Sequence, residues 1–131
     1  MIGIAVVAHA PVASALAECA RHVLGELPAL AVRDVQADEP PEPAARELAG
    51  RIAALDDGAG VLVLTDIKGA TPSNIAHSAC ELARAAGVAC DLVAGLNAPM
   101  LLRALSYRER PLGEVRECAL AGGAKGVMRV D

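Results

Sequence analysis

Hydrophobic positions along this chain follow two alternating rhythms. Short runs of β-branched and aliphatic residues, Ile2 to Val7, Ala29 to Val35, Gly60 to Thr65 and Val88 to Gly95, are separated by stretches in which apolar residues return every three or four positions. The runs predict strands and the stretches predict amphipathic helices. From Pro11 to Glu26, residues Val12, Leu16, Cys19, Ala20, Val23 and Leu27 share one face, with Ser14, Glu18, Arg21 and His22 opposite. A second helix turns Ala45, Leu48, Ala49, Ile52 and Leu55 inward, and a third, Pro72 to Ala86, does the same with Ile75, Ala79 and Leu82. Further helical pieces lie near Pro99 to Tyr107 and Pro111 to Ala121; after Gly122-Gly123, the stretch Gly126 to Val130 reads as a short final strand. Gly60 to Thr65 is apolar almost throughout, as a strand covered on both faces must be, and is the expected centre of the sheet.

Strand and helix alternate without an internal repeat or a domain linker. Residues 1–131 are therefore expected to form a single doubly wound α/β domain, with a mainly parallel sheet, helices on both faces and right-handed crossovers. Pro11, Pro43, Pro72 and Pro99 each fall where a helix should begin, a position that suits proline's fixed φ and missing N–H. The polar, proline-rich segment Gln36 to Pro43 reads as a stiff connection inside the domain.

Composition narrows this picture. A chain of 131 residues can bury roughly two thirds of the surface its unfolded form exposes. Hydrophobic residues make up 54% of it but aromatics only 1%, with Tyr107 alone, so the core must be assembled from Ala, Val, Leu and Ile. A net charge of −4 argues against a nucleic-acid partner, which would require clustered Lys and Arg. No stretch approaches the roughly 20 apolar residues of a membrane span, and no leader pattern opens the chain, so a cytosolic protein is expected. Cys19, Cys80, Cys90 and Cys118 form no C-x-x-C pair and read as small core residues in a reducing compartment, neither disulfides nor a zinc site.

Candidate chemistry lies where strands end. His9 directly follows the first apolar run and precedes Ala10-Pro11, a strand-to-helix turn of the kind that presents a side chain to a ligand crevice. The string Thr65-Asp66-Ile67-Lys68-Gly69-Ala70-Thr71-Pro72-Ser73-Asn74 leaves the third strand through a glycine turn and enters a helix, with Thr71 placed as its N-cap. Free backbone N–H groups at such a helix start suit a phosphoryl group. Asp66 can accept a hydrogen bond from one ring nitrogen of a histidine and so leave the other as the nucleophile. A third loop, Gly95-Leu96-Asn97-Ala98-Pro99-Met100-Leu101, repeats the design and should open on the same edge, bringing His9, Asp66 and Asn97 to one crevice. His22 and His77 read instead as solvated i,i+4 partners of Glu18 and Glu81.

Val6-Val7-Ala8-His9, the Asp66 to Asn74 string, Gly95 to Leu101 and the late Gly126-Val127 together resemble, over nearly the whole chain, the mannose-type IIA component of the bacterial phosphoenolpyruvate-dependent sugar phosphotransferase system. The resemblance implies a phosphotransferase without cofactor or metal. In it, His9 accepts a phosphoryl group from the histidine phosphocarrier protein and passes it to a IIB component. Asp66 orients His9, and Thr71 helps hold the phosphoryl oxygens; Gly69, Ala70, Lys68 and Asn97, on the same two loops, are this chain's further candidates for that contact. It also implies a homodimer in which the C-terminal strand crosses to pair antiparallel with the partner's sheet. Two departures stand out: Ala10-Pro11 follows the histidine where the family usually has glycine, and Lys68 replaces an apolar or aromatic residue. A small metal-binding or chelatase-like protein using His9 and a regulatory module without sugar transport are the alternative readings. The first needs a second ligand at the same edge.

Overall fold

The computed structural model describes residues 1–131, arranged as β1 (Gly3–His9), α1 (Val12–Leu24), β2 (Leu30–Val35), α2 (Pro41–Leu55), β3 (Val61–Thr65), α3 (Thr71–Ala85), β4 (Cys90–Val93), α4 (Ala98–Ser106) and α5 (Leu112–Lys125). The four strands form one parallel sheet in the order β2-β1-β3-β4. Alternation along β1 separates two cores, as a pleated strand requires. Ala5 and Val7 face α2 and α3, packing with Leu48, Ile52, Ile75 and Ala79. Ile4, Val6 and Ala8 face α1, α4 and α5, packing with Ala20, Leu101, Ala104 and Val115. β3 is buried over its whole length, in keeping with its run of Val and Leu. No helix is long and apolar enough to cross a membrane.

The amino end of the sheet is closed by Arg108, which is 6% exposed. Its guanidinium donates to the carbonyls of Ile2, Pro28 and Ala29 at 2.6–3.3 Å, joining the starts of β1 and β2 to the end of α4. Its charge is satisfied by carbonyl oxygens alone, and burial lowers its pKa.

Several expectations need correction. The buried stripe of α1 is Ala13, Ala17 and Ala20, with Cys19 and Val23 exposed, because alanines let the helix lie close against the sheet. Leu82 of α3 is likewise exposed. Pro11 precedes α1 as its N-cap, across a cis Ala10-Pro11 peptide, and α2 starts at Pro41, ahead of Pro43. β4 is shorter than the predicted Val88 to Gly95. Gly122-Gly123 do not end the last helix; α5 runs through them to Lys125. A Cβ on Gly122 would stand 2.7 Å from Cβ of Arg103, and one on Gly123 would stand 2.8 Å from Cε of Met100, so these glycines allow α5 to pack against α4. The final strand is absent from the single chain: residues 126–131 form no element, and Val127, Met128 and Val130 are exposed. A strand exists only where its backbone groups find a partner, and this tail has none within its own chain.

Candidate functional site

β1 and β3 are adjacent and in register, with Val7 opposite Thr65, so His9 and Asp66 emerge side by side at the carboxyl edge of the sheet. Nδ1 of His9 lies 2.7 Å from Oδ2 of Asp66. The backbone N–H of His9 donates to the same oxygen at 3.1 Å, and that of Ile67 donates to Oδ1 at 2.9 Å. Burial pushes the Asp66 carboxyl up, but hydrogen bonds from the His9 ring, the His9 backbone and the Ile67 backbone outweigh it and hold the group below its usual value. Asp66 is therefore ionised and can only accept, which places the imidazole proton on Nδ1. Nε2 has no protein partner, so in the neutral ring it is the nitrogen that carries the lone pair. The His9 side chain is 44% exposed and that of Asp66 11%, so a sheltered carboxylate holds an open ring.

The Asp66 loop turns at Gly69, whose φ of +85° is the left-handed conformation that favours glycine. Ala70 closes the turn, donating its N–H to Ile67 O at 3.2 Å, and it occupies the N-cap position of α3 expected for Thr71. Thr71 is the first helical residue, and no side chain caps the helix. The N–H groups of Gly69, Thr71 and Ser73 make no hydrogen bond, leaving unmet donors on a helix start just beyond Asp66. Lys68 is exposed and makes no ion pair. With Ser73, Asn74 and His77 it lines a cleft of about 380 Å³. Neither that cleft nor a larger groove of about 520 Å³ between α2 and α3 is lined by His9 or Asp66.

The third loop joins the same edge. Gly95 and Leu96 donate their N–H groups to the carbonyls of Asp66 and Thr65 at 2.9 and 3.0 Å. Asn97 caps α4, accepting from Met100 N at 2.9 Å, while its Nδ2 donates to Gly123 O at 3.1 Å. Both ends of its amide are thus engaged with α4 and α5, and it acts on the site by holding the loop in place. His77 pairs with Glu81 at 3.2 Å on the exposed face of α3, whereas His22 makes no ion pair with Glu18. No group of three or more His, Cys, Asp and Glu side chains is placed to hold a metal ion.

Two features went unread in the sequence. Asp34, near the end of β2, accepts from Ser14 N at 3.1 Å and Ser14 Oγ at 2.5 Å, tying the first turn of α1 to the strand beside His9. Its signal was a carboxylate breaking an apolar run just before a strand end. Thr65 Oγ1 is fully buried without a hydrogen-bond partner at the carboxyl end of β3.

A family model described as the PTS system fructose IIA component matches residues 3–118. The fold is that of solved phosphotransferase-system proteins. A system component EIIA from Streptococcus agalactiae superposes with a TM-score of 0.87 at 21% identity, covering 98% of this chain and 97% of that one. A mannose/sorbose-specific IIA subunit from Enterococcus faecalis gives 0.85 at 24% identity, covering 99% and 95%. A IIA protein associated with the fucose utilization operon of Streptococcus pneumoniae gives 0.77 at 23%, covering 97% and 91%. No curated protein matches the chain in sequence.

Proposed function

The chain belongs to the PTS fructose IIA component family, and from that membership we propose that it is a phosphohistidine carrier in which His9 accepts a phosphoryl group from the histidine phosphocarrier protein and passes it to a IIB component. One observation carries the choice of His9: its Nδ1 is held 2.7 Å from a carboxylate below its usual pKa, which leaves Nε2 as an exposed nucleophile.

In the proposed step the phosphorus–nitrogen bond of the donor phosphohistidine breaks as a bond from phosphorus to Nε2 of His9 forms in line with it. The proton stays on Nδ1, shared with Asp66, and the onward transfer reverses the step. Such an exchange asks the protein for positioning and for stabilisation of the phosphoryl oxygens. The free N–H groups of Gly69, Thr71 and Ser73 and the unpaired ammonium of Lys68 supply the second. The turn held by Ala70 and the loop held by Asn97 fix where those donors sit.

The working unit in this proposal is a homodimer. The outer edge of β4 is unpaired, and the exposed apolar tail from Val127 to Val130 is of a length to add a short strand to a partner's sheet.

Phosphoryl flow from labelled phosphoenolpyruvate, through enzyme I and the phosphocarrier protein, tests the assignment. The wild type should acquire acid-labile, base-stable label and His9→Ala none. Equal labelling of His9→Ala, or an unlabelled wild type with a cognate donor, would overturn it.

A further inference from the structure

Away from the His9 site, the structure brings together two cysteines that sequence spacing keeps apart. Cys80, on α3, and Cys90, at the start of β4, are both buried, at 0% and 3% exposure, with Sγ atoms 3.0 Å apart. A disulfide needs about 2.05 Å between its sulfurs, so closing the bond requires them to approach by only about 1 Å. The surroundings favour one thiol as the attacking group. Arg84 Nε donates to the carbonyl of Cys90 at 2.8 Å, which holds the guanidinium beside that residue. The contact with Cys80 lowers the Cys90 thiol, burial and Asp91 oppose it, and Arg84 adds to the lowering, while the Cys80 thiol is raised.

We propose that Cys80 and Cys90 form an intramolecular disulfide when the protein meets a small diffusible oxidant of the peroxide class. The Cys90 thiolate attacks one peroxide oxygen, the O–O bond breaks, and hydroxide leaves a sulfenic acid on Cys90. Cys80 sulfur then attacks the sulfenyl sulfur; the S–S bond forms, the S–O bond breaks, and the departing hydroxide takes the Cys80 proton as water. In sum two thiols are oxidised and one peroxide is reduced to two waters. A small oxidant reaches the buried pair through local opening at the end of α3, where Ala86 and Gly87 are exposed. The bond would fasten the third helix to the edge strand at the end of the sheet opposite His9. It therefore acts on the stability of the fold and leaves the phosphoryl site intact.

Cys19 is exposed and Cys118 half-buried, so both can react on their own account. The test therefore uses the Cys19→Ser/Cys118→Ser protein beside the full wild-type chain, each treated with hydrogen peroxide in small molar excess. Thiol titration under denaturing conditions should fall from two to none in the double variant, and in the wild type the thiols lost should include Cys80 and Cys90. The double variant should lose the mass of two hydrogens, remain a single chain on a non-reducing gel, and yield one linked peptide containing Cys80 and Cys90. Its thermal midpoint should rise by several degrees and return with a reductant, as expected for a short closed loop. Persistence of both thiols while Cys19 and Cys118 are consumed in the wild type would overturn the proposal. So would sulfinic acid formation or chain-to-chain linkage in the double variant.

Discussion

At the scale of single residues, the site depends on one contact made twice. Asp66 holds His9 through its ring and again through its backbone N–H, so the carboxylate sets both the tautomer and the place of the imidazole. Asp66→Asn keeps the shape but allows an amide N–H to face Nδ1, which favours the wrong tautomer. Transfer to His9 should slow by about a hundredfold or more, as measured by rapid-quench labelling. The same carboxyl lies below its usual pKa, so its contribution to stability is present above the unfolded value of about 3.9 and is lost as pH falls through the folded one. The gap in thermal midpoint between wild type and Asp66→Asn should accordingly be present at neutral pH and close on acidification below about pH 4. Lys68 makes no ion pair, and Lys68→Ala should shorten the lifetime of the phosphorylated protein about two- to fivefold, the effect of an exposed charge worth 0.3–1 kcal/mol. An unchanged hydrolysis rate would remove Lys68 from the site. His9 and Asp66 could be read from the sequence because each ends an apolar run, and strand ends on one edge must converge. Arg108 could not, since its partners Ile2, Pro28 and Ala29 lie far from it in sequence and nothing local marks the pairing; Asp34 was marked only by a carboxylate in an apolar run, with no sign that it meets Ser14.

At the scale of elements, α4 and α5 show how a glycine pair can mislead. In isolation Gly122-Gly123 reads as a helix stop, because glycine weakens a helix by about 1 kcal/mol relative to alanine. Here the two glycines, with Gly126, form a strip facing Pro99, Met100 and Arg103, where side chains would collide. Close packing of two helices outweighs local propensity, and a single-sequence pattern carries no trace of the facing helix. The cost of α5's glycines is offset by a contact the site uses, since Asn97 reaches Gly123 O across this interface. Gly122→Ala should therefore lower stability by about 1 kcal/mol in urea unfolding, with overpacking outweighing the gain in helix propensity. A more stable variant would show that α4 and α5 have room to spare. The start of α3 follows a related logic: Thr71 and Pro72 mark its beginning correctly, but the helix takes in Thr71 itself and leaves its first N–H groups uncapped.

At the scale of the whole molecule, the two cores follow from the alternation of periods, which is why the doubly wound fold was legible, whereas the strand order β2-β1-β3-β4 leaves no mark in a single sequence. Residues 126–131 have the composition of a strand and no strand beside them in their own chain. The proposed dimer resolves that mismatch. Removal of residues 126–131 should convert it to a monomer in sedimentation equilibrium, whereas an unchanged mass would place the interface elsewhere. The central claim, that Asp66 reserves Nε2 of His9 for the phosphoryl group, is tested most directly by phosphorus–proton correlation NMR of the phosphorylated wild-type protein. Phosphorus attached to Nε2 of His9 is the predicted result. Phosphorus on Nδ1, or on any residue other than His9, would contradict it.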